Sequence, residues 1–192
     1  MERRCLAAAM LLAAAAMPMA ARAETKMDTP IYMKDFDAFR NKTLEQKVQE
    51  LADREEIRDL IARYAHRVAH GKPFADLFTE DGSFVTHRPG RAGTEIKGRQ
   101  NLEKYFGVSA AAVEAKALPM IHNYVIEISG DEARGICSNE LRIEEDGKSI
   151  IASGYYEDRY RRENGRWRFA SRAATFYHWV PVQEGWVKAK KD

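Results

Sequence analysis

Cysteine is nearly absent from this sequence of 192 residues, which has only Cys5 and Cys137. Cys5 precedes an N-terminal apolar run, so one cysteine remains for the rest of the chain. That excludes an internal disulfide framework and a cysteine-based zinc site. Stability must come from packing. An excess of one charge sign is also lacking: 31 Lys and Arg stand against 29 Asp and Glu. Apart from the short basic end "KAKKD", a solvated terminus, no basic tract points to nucleic acid as a partner. With 6 prolines and 12 glycines, and no repeat or low-complexity tract, fibrous and disordered classes are excluded. No His-Glu-x-x-His pattern occurs either. His66 and His70 stand four apart on a helical run, a spacing that can bind zinc. An acidic or third histidine ligand normally completes such a site, and Arg67 adjoins instead. No metal is expected.

One long apolar stretch is present, "LAAAMLLAAAAMPMA" at residues 6–20. Arg3 and Arg4 precede it and "ARA" at 21–23 follows it. This pattern predicts a secretory signal peptide over residues 1–23, cleaved after Ala23, and too short to be a comfortable membrane span. The expectation is an exported, soluble, periplasmic protein with no membrane partner. Residues 24–192 suffice for one domain with a real core. The leader holds Arg3, Arg4 and Arg22 against Glu2, so the remainder is close to neutral.

Residues 24–42 are mixed, contain Pro30 and read as an extended N-terminal arm or a partner contact. "TLEQ" at 43–46 is a capping-box pattern. Leu44, Val48, Leu51, Ile57, Leu60, Ile61, Tyr64, Ala65 and Val68 then recur at helical spacing. The predicted helix, with a possible break near Asp53, ends at Gly71 ahead of Pro73. "PFADLF" at 73–78 predicts a short second helix. "DG" at 81–82 predicts a turn into the strand "SFVTH", and "RQNLEKYF" at 99–106 a further helix. The second half changes character. "GD" at 130–131, "DG" at 146–147 and "NG" at 164–165 separate four long β-type runs, which predicts an antiparallel meander. Helices followed by a meander give the α+β class. A strongly curved antiparallel sheet wrapped around the helices makes a cone-shaped domain over residues 43–183, with a tail at 184–192.

With these motifs in this order, the chain resembles the nuclear transport factor 2-like superfamily, in its SnoaL-like branch. The stretches that carry the resemblance are "LADREEIRDLIARYAHRVAHG", "LFTEDGSF", "IKGRQNLEKYF", "IHNYVIEISGDEARG" and "SGYYEDRYRRENGRWRFASR". Within that branch the chain looks most similar to cofactor-free lyases: scytalone dehydratase, bile-acid dehydratase and hexachlorocyclohexane dehydrochlorinase. By position, the resemblance places the lyase tyrosine on Tyr64, the histidine on His122 and the arginine on Arg172. The lyase aspartate falls on Ala69, so the usual His–Asp dyad is incomplete. The resemblance also implies a homodimer, no cofactor and a hydrophobic small-molecule substrate.

A cofactor-free lyase needs a group that moves a proton and donors that meet developing negative charge. His122, Tyr64 and Arg172 are the candidate catalytic residues. His122 is expected on one face with Tyr124, Ile126 and Ile128, where a structural histidine is the competing reading. Asp158 shares a face with Gly154, Tyr156 and Tyr160 by period-2 alternation. It can substitute for the missing aspartate, or it can pair with a nearby arginine. Candidate substrate-binding residues are Arg88, in the loop "THRPGRAG", with Tyr156, Asp158, Phe176 and His178. The aromatic run "TFYHW" at 175–179 can line a pocket mouth or pack in an interface. The expected function is a lyase that acts by dehydration or a related β-elimination, or by a retro-aldol-like C–C cleavage such as deformylation, on a hydrophobic, aromatic small molecule by His/Tyr acid-base chemistry. The alternatives are a non-catalytic exported carrier of an apolar ligand, and an isomerase.

Overall fold

The computed structural model describes residues 29–35, 37–112 and 117–185. The proposed leader and the last residues of the tail lie outside them. Of the arm, the described part holds a 3-10 turn at Ile31–Met33 and a short helix α1 at Asp37–Arg40. The arm lies against the sheet, where Lys34 pairs with Glu127 at 2.9 Å.

Helix α2 runs unbroken from Leu44 to Ala69. Its start is the expected capping box: the Thr43 hydroxyl accepts from the Gln46 amide, and the Gln46 side chain accepts from the Thr43 amide. The expected break at Asp53 does not occur. Asp53 is buried instead, and accepts from Arg162 at 2.6 Å and from the Trp167 indole at 3.2 Å. The helix buries Ile57, Leu60, Ile61 and Tyr64, a stripe at i, i+3, i+4 and i+7. Past it, "PFADLF" gives only a 3-10 turn at Ala75–Leu77.

Strand β1 spans Phe78–His87, β2 Thr94–Lys97, and helix α3 Arg99–Ala112. Here the sequence reading needs correction twice. β2 lies between the 86–93 loop and the helix at 99–106, where no strand is expected, and Asp81–Gly82 is not a turn. These two residues sit inside β1 as a bulge, where pairing with the last strand jumps from Phe78↔Phe169 to Ser83↔Ser171. Gly82 suits that place, because a Cβ would stand only 3.0 Å from the Phe169 carbonyl oxygen.

The meander is as expected. Strands β3 (Leu118–Ser129), β4 (Glu132–Glu145), β5 (Lys148–Glu163) and β6 (Arg166–Pro181) follow one another. The Asp146-Gly147 and Asn164-Gly165 turns have positive φ at both residues, the hairpin turn that matches strand twist. The sheet order is β2-β1-β6-β5-β4-β3. All neighbours are antiparallel except β1 and β6, which run parallel. The sheet is therefore mixed and open, with β2 and β3 at its edges, and α2 and α3 pack against its concave side. Phe78, Phe169, Ile57 and Leu102 are fully buried between these layers. Each contributes roughly 1.5–3 kcal/mol of hydrophobic stabilisation.

Candidate active site in the cone

Alternation decides which meander residues face the concave side. On β4 these are Cys137, Asn139 and Leu141; on β5, Ala152, Tyr156 and Asp158; on β6, Arg172, Ala174 and Phe176. Burial follows the same parity. Near the strand ends they enclose, with α2 and α3, an apolar cavity of about 770 Å³. That volume suits a small organic molecule. Tyr64, Phe74, Phe84, Tyr156, Phe176 and Trp179 make its aromatic wall.

Four of the expected site residues line this cavity: Tyr64, Arg88, Tyr156 and Phe176. Tyr64 sits on the buried stripe of α2, edge-on to Phe74 at 5.1 Å and to Tyr156 at 6.1 Å between centroids. The two phenols adjoin one another, each with its ring against the Arg172 guanidinium. Burial pushes both phenols above their ordinary acidity range, although the nearby Arg172 cation acts in the opposite direction. Both are therefore protonated at neutral pH and act as donors.

Arg88 stands at the mouth. Its guanidinium lies 3.5 Å from the Trp179 ring centroid and 3.2 Å from Glu145. Glu145 also accepts from the Trp179 indole at 2.7 Å. The loop thus contributes a residue that is stacked and paired.

Arg172 and Asp158 do not touch the cavity. They form a pair beneath its floor, with Nε and one Nη of Arg172 bonded to the two carboxylate oxygens at 2.9 and 2.8 Å. Tyr160 donates to the same carboxylate at 2.7 Å. The guanidinium packs over the rings of Tyr64, Tyr156 and Phe169 at 4.3, 4.1 and 4.3 Å. Desolvation works against its charge, and Asp158 more than offsets this, so its pKa is raised well above the ordinary value. Arg172 thus lies behind the two phenols with Asp158 as its counter-ion, and neither residue lines the cavity. Burial also pushes the neighbouring Cys137 thiol up to about 12, so it is an inert thiol here.

His122 is not brought to the cavity. Between His122 and Val125 the β3–β4 register slips by one residue, with Asn123 at φ 59°. This bulge reverses the parity of the strand. Tyr124, Ile126 and Ile128 face the core, as expected, but His122 is exposed on the opposite side, across from Ser138. Before the bulge the inward residues are Pro119 and Ile121, and Pro119 lines the cavity. Ala69 lines it too. His178 is half-buried, bonded through Nδ1 to the Ser153 hydroxyl at 2.8 Å, and is not in the lining. The helical pair His66 and His70 is exposed, and His70 uses Nδ1 against the His66 carbonyl at 2.8 Å.

Sequence reasoning missed Phe74, Phe84 and Pro119 as lining residues. The aromatic density of "PFADLF" is a signal that could have found Phe74. Nothing local marks Pro119, since the bulge that turns it inward follows it.

A family model described as a SnoaL-like domain matches residues 49–173. No curated protein matches. Among solved structures, the chain is similar to the hexachlorocyclohexane dehydrochlorinase LinA-type3 from Novosphingobium barchaimii LL02. That match has 20% identity, covers 70% of this chain and 93% of that one, and has a TM-score of 0.60. A scytalone dehydratase-like protein from Novosphingobium aromaticivorans DSM 12444 matches at 19% identity, with 69% and 89% covered and a TM-score of 0.61. A protein of unknown function from Mycobacterium tuberculosis matches at 28% identity, with 77% and 82% covered and a TM-score of 0.56.

Proposed function

We propose that this chain, which belongs to the SnoaL-like domain family, is a cofactor-independent lyase that acts on a hydrophobic, aromatic small molecule held in the cone. The observation that carries this reading is the edge-to-face Tyr64–Tyr156 pair at the wall of an apolar cavity, backed by a buried cation. The chemistry differs from the His/Tyr scheme expected from the sequence, because His122 faces away. In the step proposed here, a phenol gives its proton to a departing hydroxyl. The C–O bond breaks and water leaves. The phenolate so formed, steadied by Arg172, takes the proton from the adjacent carbon. The C–H electron pair becomes the double bond, and the phenol is restored. One group thus serves as acid and then as base. Similarity to proteins named as a dehydrochlorinase and as scytalone dehydratase-like supports the reaction class.

Two experiments test the scheme. With aromatic β-hydroxy compounds as substrates, alkene formation is followed by ultraviolet absorbance. Tyr64→Phe is expected to lower kcat by about 10²-fold or more, with KM nearly unchanged. Equal kcat in the variant would remove Tyr64 from the chemistry. The second is the pH profile. A free imidazole base would give a limb near pH 6.5, whereas two protonated phenols predict a kcat level from about pH 6 to 9. A limb near 6.5 would contradict the phenol scheme.

A carrier of apolar ligands is the second reading. Its supporting observation is that Ala69 and Pro119, neither able to move a proton, line the cavity. Tight binding of such compounds without turnover would favour it. Export to the periplasm and a homodimer belong to the same proposal, and light scattering of the purified protein tests the dimer.

A further inference from the structure

Asn139 is 1% exposed, and neither its side-chain nitrogen nor its oxygen has a hydrogen-bond partner among the described residues. A buried carboxamide with both groups unsatisfied is costly, and native folds rarely keep one without use. Its place in the wall suggests the use. Asn139 points to the concave side between Cys137 and Leu141 on β4. Its pairing partners are Ile121 on β3 and Gly154 on β5, and Gly154 pairs in turn with Phe176 on β6. One step deeper on β5 is Tyr156, and one step toward the mouth stand Leu141 and its partner Pro119. Tyr156, Phe176, Leu141 and Pro119 all line the cavity. Asn139 is not itself among the lining residues; it is a polar side chain set just behind an apolar lining, beside a glycine that presents no side chain against it.

We propose that Asn139 is the group by which the cone wall reads a hydroxyl on an aromatic ligand. This rests on the cavity being the ligand site. A carboxamide offers one acceptor and two donors. A neutral hydroxyl, which both donates and accepts, satisfies the oxygen and the nitrogen together. A carboxylate satisfies only the nitrogen, and a methyl group neither. The amide is covered by its neighbours, so binding requires it to turn toward the cavity by a side-chain rotation. The backbone stays in place. Asn139 and the two phenols then divide the labour: the tyrosines meet the reacting oxygen, and Asn139 selects ligands that carry a second one.

The test uses 2-naphthol and 2-methylnaphthalene, which match in shape and differ in OH against CH₃. Dissociation constants for both are measured by fluorescence titration, with wild type and Asn139→Leu. Relative to wild type, Asn139→Leu is expected to shift the ratio about tenfold or more in favour of the methyl compound. Circular dichroism checks that the variant is folded. If it is not, Asn139→Ala takes its place, and wild type supplies an independent readout. The Asn139 side-chain amide signals in a ¹⁵N spectrum are expected to move with 2-naphthol and to stay with 2-methylnaphthalene. If both probes bind with an unchanged ratio, this role for Asn139 is overturned while the cavity reading stands. If neither probe binds, both are overturned.

Discussion

Asp158 and Arg172 are the most deeply buried charges among the described residues, being 2% and 0% exposed. Their bidentate pair is sealed between aromatic rings, so removing either partner leaves the other charged, buried and without its counter-ion. Asp158→Asn and Arg172→Met are each expected to destabilise the fold by about 3–5 kcal/mol. The double apolar replacement, Asp158→Leu with Arg172→Met, is expected to recover much of that loss, because no buried charge remains. Urea unfolding of the four proteins measures this. Additive single losses would show that the pair is not coupled in the way its geometry implies. The sequence offered both residues as site candidates, and alternation placed Asp158 on the inner face with Tyr156. What alternation could not supply was depth. Two residues further along the same face separate a counter-ion under the floor from a phenol in the cavity wall. His122 failed for a different reason. Period-2 reasoning assumes an unbroken ladder, and the bulge at Asn123 inverts it.

Elements that depend on local chemistry were legible in advance. Thr43 and Gln46 cap α2, and Asp-Gly and Asn-Gly close the β4–β5 and β5–β6 hairpins, because those residue types satisfy a local backbone requirement on their own. Thr43→Ala should therefore cost about 1 kcal/mol, by loss of one cap hydrogen bond. Bulges and the short strand β2 were not legible, because partner strands far along the chain impose them. Gly154 marks one such place. The β5–β6 register slips between Ser153 and Gly154, and a Cβ there would stand 1.9 Å from the Thr175 carbonyl oxygen and 2.8 Å from Phe176 Cα. Both are backbone atoms with no freedom to move aside. Gly154→Ala is expected to cost about 3 kcal/mol or more, well beyond the usual effect of adding one methyl group. A thermal melt within a degree or two of wild type would show that the bulge relaxes more readily than its contacts indicate.

At the scale of the whole molecule, carboxylates tie segments that the core alone would leave loose. Asp53 joins α2 to the β5–β6 hairpin, Asp81 joins β1 to Arg161 on β5, and Glu127 joins the arm to the sheet. Glu145 links β4 to the mouth loop and to Trp179, and Glu50 holds Lys42 and Arg54. For Asp53 and Glu50 burial raises the pKa, and the bonded cations and donors more than reverse it. For Asp81, Glu127 and Glu145 the hydrogen bonds to Arg161, Lys34 and Trp179 are the largest influence, and they lower it. All five carboxyls are thus more acidic in the folded chain than their ordinary values of 3.8 for Asp and 4.5 for Glu. By linkage, a depressed folded pKa contributes stability that is complete above the unfolded value and disappears as pH falls through the folded one. The melting temperature should stay level from about pH 8 to 5.5 and drop steeply below about pH 4. Asp81 is exposed, so 0.5 M salt should weaken its share and leave that of Asp53 largely intact. Asp53→Asn should lower the melting temperature at pH 7 and flatten the acid decline, because the variant has less charge-dependent stability to lose. A decline centred between pH 6 and 7 would instead assign the acid sensitivity to histidines, and a flat profile to pH 2.5 would show that these carboxylates do not hold the segments together.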